Sequence, residues 1–73
     1  MPNSIRNQIQ GTIIRISSDK VMSEVILDTP AGEIVSVITT ASVKSLKLKK
    51  GKIITALIKA TNVSLKDCDC KGH

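Results

Sequence analysis

Extended, the run from Lys52 to Lys59 is apolar on both of its faces. Side chains alternate along a strand, so Ile54, Ala56, Ile58 and Ala60 share one side while Ile53, Thr55, Leu57 and Lys59 share the other. A small barrel has one interior, and the outer face of such a strand must be covered by another element or another subunit. A chain of 73 residues has little to cover it with. Chains this short bury only about 60% of their unfolded surface, and below roughly 70 to 80 residues they usually add disulfides, a metal or self-association. Cys68 and Cys70 lie too close together to staple a core, which leaves oligomerisation.

Ile, Val and Thr make up 23 of the 73 residues, a β-branched excess that favours strands and excludes an all-helical chain. Five strand-like segments separated by turn chemistry predict an all-β fold, a small five-stranded barrel with one short helix. They run from Arg6 to Ile16, Val21 to Leu27, Glu33 to Thr39, Lys52 to Lys59 and Asn62 to Lys66. Gly11 interrupts the first and suggests a bulge or bend there. Ser17 to Lys20 and Asp28 to Gly32 are turns. A helix of one or two turns, about Ala41 to Leu46, follows Thr39 or Thr40 as N-cap. Residues 1–66 are expected to form the single domain and residues 67–73 a disordered tail.

No apolar run approaches the roughly 18 to 20 residues that cross a bilayer, and no basic-then-apolar leader is seen, so a soluble, cytoplasmic protein is expected. The formal net charge of +5 points to an anionic partner: nucleic acid, a membrane surface or a small oxyanion. Phe, Tyr and Trp are all absent. Single-stranded nucleic acid is normally held by stacking on aromatic rings, and interfacial membrane helices insert large apolar side chains; neither device is present. Lys44, Lys47, Lys49, Lys50 and Lys52 form a basic run. It reads as a solvated face, with a nucleic-acid patch or the steering of oxyanions as the alternatives.

Three constellations carry candidate chemistry. A tetrahedral dianion needs donors only: Arg or Lys for charge, hydroxyls, and backbone N–H groups. Ser4 and Arg6 lie on one side of an extended opening strand. Thr39 and Ser42 are one helical turn apart where the helix begins, a place where N–H groups and the helix dipole favour an anion; taken alone, they read first as an ordinary N-cap with Ser42 bonding back to it. Lys59 and Ala60 end the fourth segment, with the lysine either solvated or neutralising a ligand.

Taken in order, the motifs Ser4-Ile5-Arg6-Asn7-Gln8, Gly11-Thr12-Ile13, Ser23-Glu24-Val25, Ile38-Thr39-Thr40-Ala41-Ser42-Val43, Leu46-Lys47-Leu48-Lys49-Lys50-Gly51 and Ile58-Lys59-Ala60-Thr61-Asn62-Val63 resemble those of the molybdate-binding Mop domain, the molbindin type of the TOBE-like proteins. The similarity spans about Asn3 to Leu65. It implies an OB-like five-stranded barrel, a hexamer built as a trimer of dimers, and molybdate or tungstate bound between subunits, with no organic cofactor.

By the same resemblance, one class of site draws Ser4, the Ile5 backbone N–H and Arg6 from one chain, and Thr39, Ser42, Lys59 and the Ala60 backbone from another. A second class near the threefold axis uses Lys20, Val21, Met22 and Ser23; the family commonly has Asn where this chain has Met22. The implied role is storage or buffering of the oxyanion, without catalysis. The alternative is a small basic OB-like nucleic-acid-binding protein.

Cys68, Cys70 and His73 are metal-ligand types. Their spacing, with one residue between the cysteines and two before the histidine, is not that of a zinc site; no metal cation and a reduced, disordered terminus are expected. His73 is the single histidine, and no catalytic triad or carboxylate pair can be drawn.

Overall fold

The computed structural model describes residues 6–68, with Arg6 described by its backbone. Four antiparallel strands form one sheet in the order β3-β2-β1-β4: β1 Arg6–Ser18, β2 Met22–Thr29, β3 Gly32–Thr39 and β4 Ile53–Lys59. One helix, α1, covers Thr40–Ser45, and a 3-10 turn covers Ala60–Asn62. The sheet curls into a half-barrel because β1 is shared. Its first half pairs with β4, from Arg6 opposite Lys59 to Thr12 opposite Ile53, and its second half pairs with β2, from Thr12 opposite Asp28 to Ser18 opposite Ser23.

The ladder is irregular between Ile13 and Arg15, where Ile14 is one residue too many. Ile14 and Arg15 are both exposed while Ile13 is buried and Ile16 half-buried. Plain alternation after Ile13 would have turned Arg15 inward; the extra residue turns Ile16 inward instead. The bulge expected at Gly11 is therefore three residues further on, and Gly11 pairs regularly with Ile54. Gly11 answers a different demand. A Cβ there would stand 2.7 Å from Thr29 Cγ2 and 2.9 Å from the Asp28 carbonyl oxygen, so the end of β2 crosses β1 where only a hydrogen fits.

Ile13, Val25 and Leu27 are the fully buried apolar side chains, with Ile16, Ile34, Ile38, Val43, Leu48, Ile54 and Ala56 packed partly buried around them. The turn at Gly51 and Lys52 docks on β1, since the Gly51 N–H donates to the Ile13 carbonyl at 2.7 Å and the Ile13 N–H to the Lys52 carbonyl at 2.9 Å. Along β4, Ile54, Ala56 and Ile58 face inward, while Ile53 and Leu57 remain 61% and 56% exposed. The outer face of β3 is similar, with Val35 55% and Val37 62% exposed.

The fifth segment differs from expectation. Asn62 closes the 3-10 turn, and residues 63–68 carry no regular structure, so the described sheet has four strands. Val63 and Leu65 alternate as a strand would, but alternation only selects a face; a strand also needs an edge to pair with. The two free edges, on β3 and β4, face each other across an open cleft of about 460 Å³ lined by Ile34, Val35, Val37, Leu57, Lys59 and Asn62 among others. Cys68 is disulfide-bonded rather than reduced. The rest of the expected tail, with Cys70 and His73, lies outside the described residues. No described helix is long and apolar enough to cross a membrane.

Candidate functional site

β3 ends at Thr39 because the next residue already has helical geometry: Thr39, at φ −70° and ψ 148°, is the N-cap of α1. The Ser42 N–H donates to Thr39 Oγ1 at 3.1 Å, and the Thr39 hydroxyl donates to Ser42 Oγ at 2.8 Å. The two hydroxyls that spacing brings one turn apart are thus joined. Thr39 is exposed and Ser42 half-buried, and no carboxylate among the described residues is bonded to the pair. With Thr39 donating, the Ser42 O–H proton is left for an outside acceptor.

Thr40 fixes this helix start to the hairpin between β1 and β2. Its N–H donates to the Val21 carbonyl at 2.8 Å and its hydroxyl to the Asp19 carbonyl at 2.8 Å, and its Oγ1 lies 2.8 Å from Ser23 Oγ. Sequence reasoning considered Thr40 only as a rival N-cap. Its tertiary bonds run to residues about twenty positions away, and nothing in the local sequence announces them.

Lys59 ends β4 directly opposite Arg6 on β1. It is exposed and immediately precedes the turn that holds Ala60. Ser4 and Ile5 lie outside the described residues. The strand directions then separate the candidates into two groups. Arg6 and Lys59 occupy one end of the sheet, whereas Thr39, paired with Met22, and Ser42 occupy the other. Thirteen-residue β1 runs between these ends, at about 3.3 Å per residue. Within one chain Lys59 therefore pairs with Arg6, at the end of the sheet away from Thr39 and Ser42.

The loop Lys20 to Ser23 is differently furnished. Asp19 Oδ1 accepts the Val21 N–H at 2.9 Å and the Met22 N–H at 2.8 Å. These two bonds, from Met22 and from Val21, hold the Asp19 carboxyl below its ordinary value. Ser23 is 2% exposed, and its hydroxyl lies 2.7 Å from Ser18 Oγ as well as 2.8 Å from Thr40 Oγ1. Asp19 escaped the sequence reading, which took it as a turn residue. The signal was an Asp two and three residues ahead of the N–H groups it caps, the spacing of an Asx turn.

In the basic run, Lys52 Nζ donates to the Leu46 carbonyl at 2.7 Å and so satisfies the end of α1. Lys44 stands in the last helical turn, and Lys47, Lys49 and Lys50 are exposed. Among the described residues no group of three or more His, Cys, Asp or Glu is arranged to hold a metal ion.

A four-stranded curled sheet with one short helix, with cations at one end and a pair of hydroxyls at the other, describes a small β-fold binding domain. The TOBE domain family model matches residues 3–65, and the chain belongs to that family, in its Mop or molbindin type. It is 35% identical over 66 residues to molybdenum-pterin-binding protein 3 of Clostridium pasteurianum, covering 89% of this chain and 97% of the relative. It is 39% identical over 64 residues to a probable molybdenum-pterin-binding protein of Haemophilus influenzae, covering 86% and 93%. Among solved structures, MopII from Clostridium pasteurianum superposes with a TM-score of 0.82 at 34% identity, over 90% of this chain and all of the other. A molybdate-binding protein from Sporomusa ovata gives 0.84 at 36% identity, over 92% of this chain and all of that one.

Proposed function

We propose that this protein binds molybdate or tungstate, without catalysis, as a cytoplasmic store or buffer, at sites formed between subunits of a hexamer assembled as a trimer of dimers. The observation that carries the reading is the joined Thr39 and Ser42 hydroxyls, a pair to which no carboxylate among the described residues is bonded. Arg6 and Lys59 supply the two positive charges that balance a dianion, and Ser4 with the Ile5 and Ala60 backbones completes the shell. Because the two groups stand at opposite ends of one sheet, one ligand collects both only if the Arg6 and Lys59 end of one chain meets the Thr39 and Ser42 end of another. Three fully buried apolar side chains and exposed Val35, Val37, Ile53 and Leu57 support such an assembly, as does the open cleft between β3 and β4.

The names of several relatives include a pterin, which is an organic ring system. This chain has no aromatic side chain on which to stack one, so the bare oxyanion is the ligand we assign. The same lack disfavours the nucleic-acid reading.

Calorimetric titration of molybdate tests the assignment. Ser42→Ala removes a hydroxyl bonded to a charged ligand, about 1.5 to 3 kcal/mol, and affinity should fall roughly tenfold to a hundredfold. Arg6→Ala leaves a dianion under-neutralised among partly buried donors, at about 2 to 5 kcal/mol. Lys47→Ala, an exposed cation outside the donor groups, should leave affinity unchanged. Equal losses for Arg6→Ala and Lys47→Ala would mean that a diffuse basic field attracts the anion, and the assignment would fail. Binding of a DNA oligonucleotide that weakens steeply with salt, with no heat from molybdate, would favour the nucleic-acid alternative.

A further inference from the structure

The hairpin loop between β1 and β2 has the ingredients of an anion site: Lys20, two consecutive backbone N–H groups at Val21 and Met22, and the Ser23 hydroxyl. Each neutral donor is already spoken for by the chain itself. The Val21 and Met22 N–H groups both end on Asp19 Oδ1, at 2.9 and 2.8 Å. The Ser23 hydroxyl is buried between Ser18 Oγ and Thr40 Oγ1. An independent feature points the same way. Beside the loop lies an open hollow of about 360 Å³ whose charged lining residues are Asp19 and Glu24, both acidic. Ser17, Ser18 and Ser23 line the same hollow, but the charges an oxyanion meets there are the two carboxylates, and like charges repel.

We propose that Asp19 is a resident anion that closes this loop to oxyanions, and so confines ligand loading to the Arg6, Thr39, Ser42 and Lys59 donors. The proposal rests on the oxyanion reading above and makes Asp19 a specificity-determining residue for where the ligand enters. A carboxylate covalently tethered two and three residues from its donors has a very high local concentration, so free molybdate cannot compete with it at ordinary levels. Removing the side chain uncovers two N–H donors next to Lys20 and takes one negative charge from the hollow. Replacing it by Asn takes away the same charge but keeps an acceptor oxygen on the two N–H donors.

The test is an amide NMR titration with sodium molybdate on the full chain, run alongside a count of bound molybdate per chain. In the wild type the Val21 and Met22 amide signals should stay fixed while the protein saturates. In Asp19→Ala both should shift, and the molybdate count should rise above that of the wild type; Asp19→Asn, which keeps the acceptor oxygen but loses the charge, should shift less than Asp19→Ala. Wild-type Val21 and Met22 signals that move with molybdate overturn the proposal, and that arm needs no variant to fold. An Asp19→Ala protein with a native sheet by circular dichroism and an unchanged count overturns it too. The double variant Thr39→Ala, Ser42→Ala keeps the two readings apart. If it binds as much molybdate as the wild type, the proposed function loses its site, whereas the loop signals answer for Asp19 alone.

Discussion

Gly11 shows how little room β1 has where it exchanges partners. A methyl group there would press on the Asp28 carbonyl, a backbone atom that cannot swing aside, as well as on Thr29 Cγ2. Gly11→Ala should therefore destabilise the protein by about 1 to 3 kcal/mol, the usual cost of overpacking, measurable as a lower denaturation midpoint. A midpoint equal to the wild type would show that β2 can withdraw from β1. Asp19 gives a pH-dependent case. Its folded carboxyl titrates below the ordinary value because the Met22 and Val21 N–H groups bond the ionised form. A group depressed on folding stabilises fully above its unfolded value, and that stabilisation is lost as pH falls through the folded one. The thermal midpoint of the wild type should thus drop on acidification below the ordinary carboxylate range, and Asp19→Asn should lack that part of the drop. Matching acid profiles for the two proteins would remove the link between this carboxylate and the loop.

The joint between α1 and the β1–β2 hairpin is made largely by Thr40. Thr40→Val keeps the shape and deletes the hydroxyl that reaches the Asp19 carbonyl and Ser23. Two bonds at about 0.5 to 1.5 kcal/mol each should lower stability by roughly 1 to 3 kcal/mol, read by thermal denaturation, with Thr39 and Ser42 still able to cap the helix. This joint was invisible in the sequence, whereas the elements it connects were legible. β2, β3 and β4 follow from apolar alternation between turns, and Thr39 with Ser42 follows from helical spacing. The irregularity in β1 was misplaced because Ile13 and Ile14 are consecutive and equally apolar, so alternation cannot say which turns inward; pairing with β2 decides. The fifth strand failed for a related reason, since Val63 and Leu65 show the period but no edge of the described sheet receives them. Lys59 was recognised as a candidate cation, but its position beside Arg6 depends on a ladder between residues far apart in the chain. Local patterns carry element type and caps; register and long-range hydrogen bonds are set by the folded whole.

Two features of the whole described chain bear on the proposed assembly. Its outer face exposes Val35, Val37, Ile53 and Leu57, an arrangement that in a stable soluble domain marks an interface. Its donors are divided between opposite ends of one sheet, so a single chain presents half of the proposed site at each end. In the proposed function, assembly and ligand binding are then one event, and a ligand held at the joint would stabilise the assembly by mass action. Native mass spectrometry with and without molybdate measures both at once. The account predicts a hexamer that gains several molybdate ions and survives higher collision energy when they are bound; a monodisperse monomer whose mass is unchanged by molybdate would contradict it.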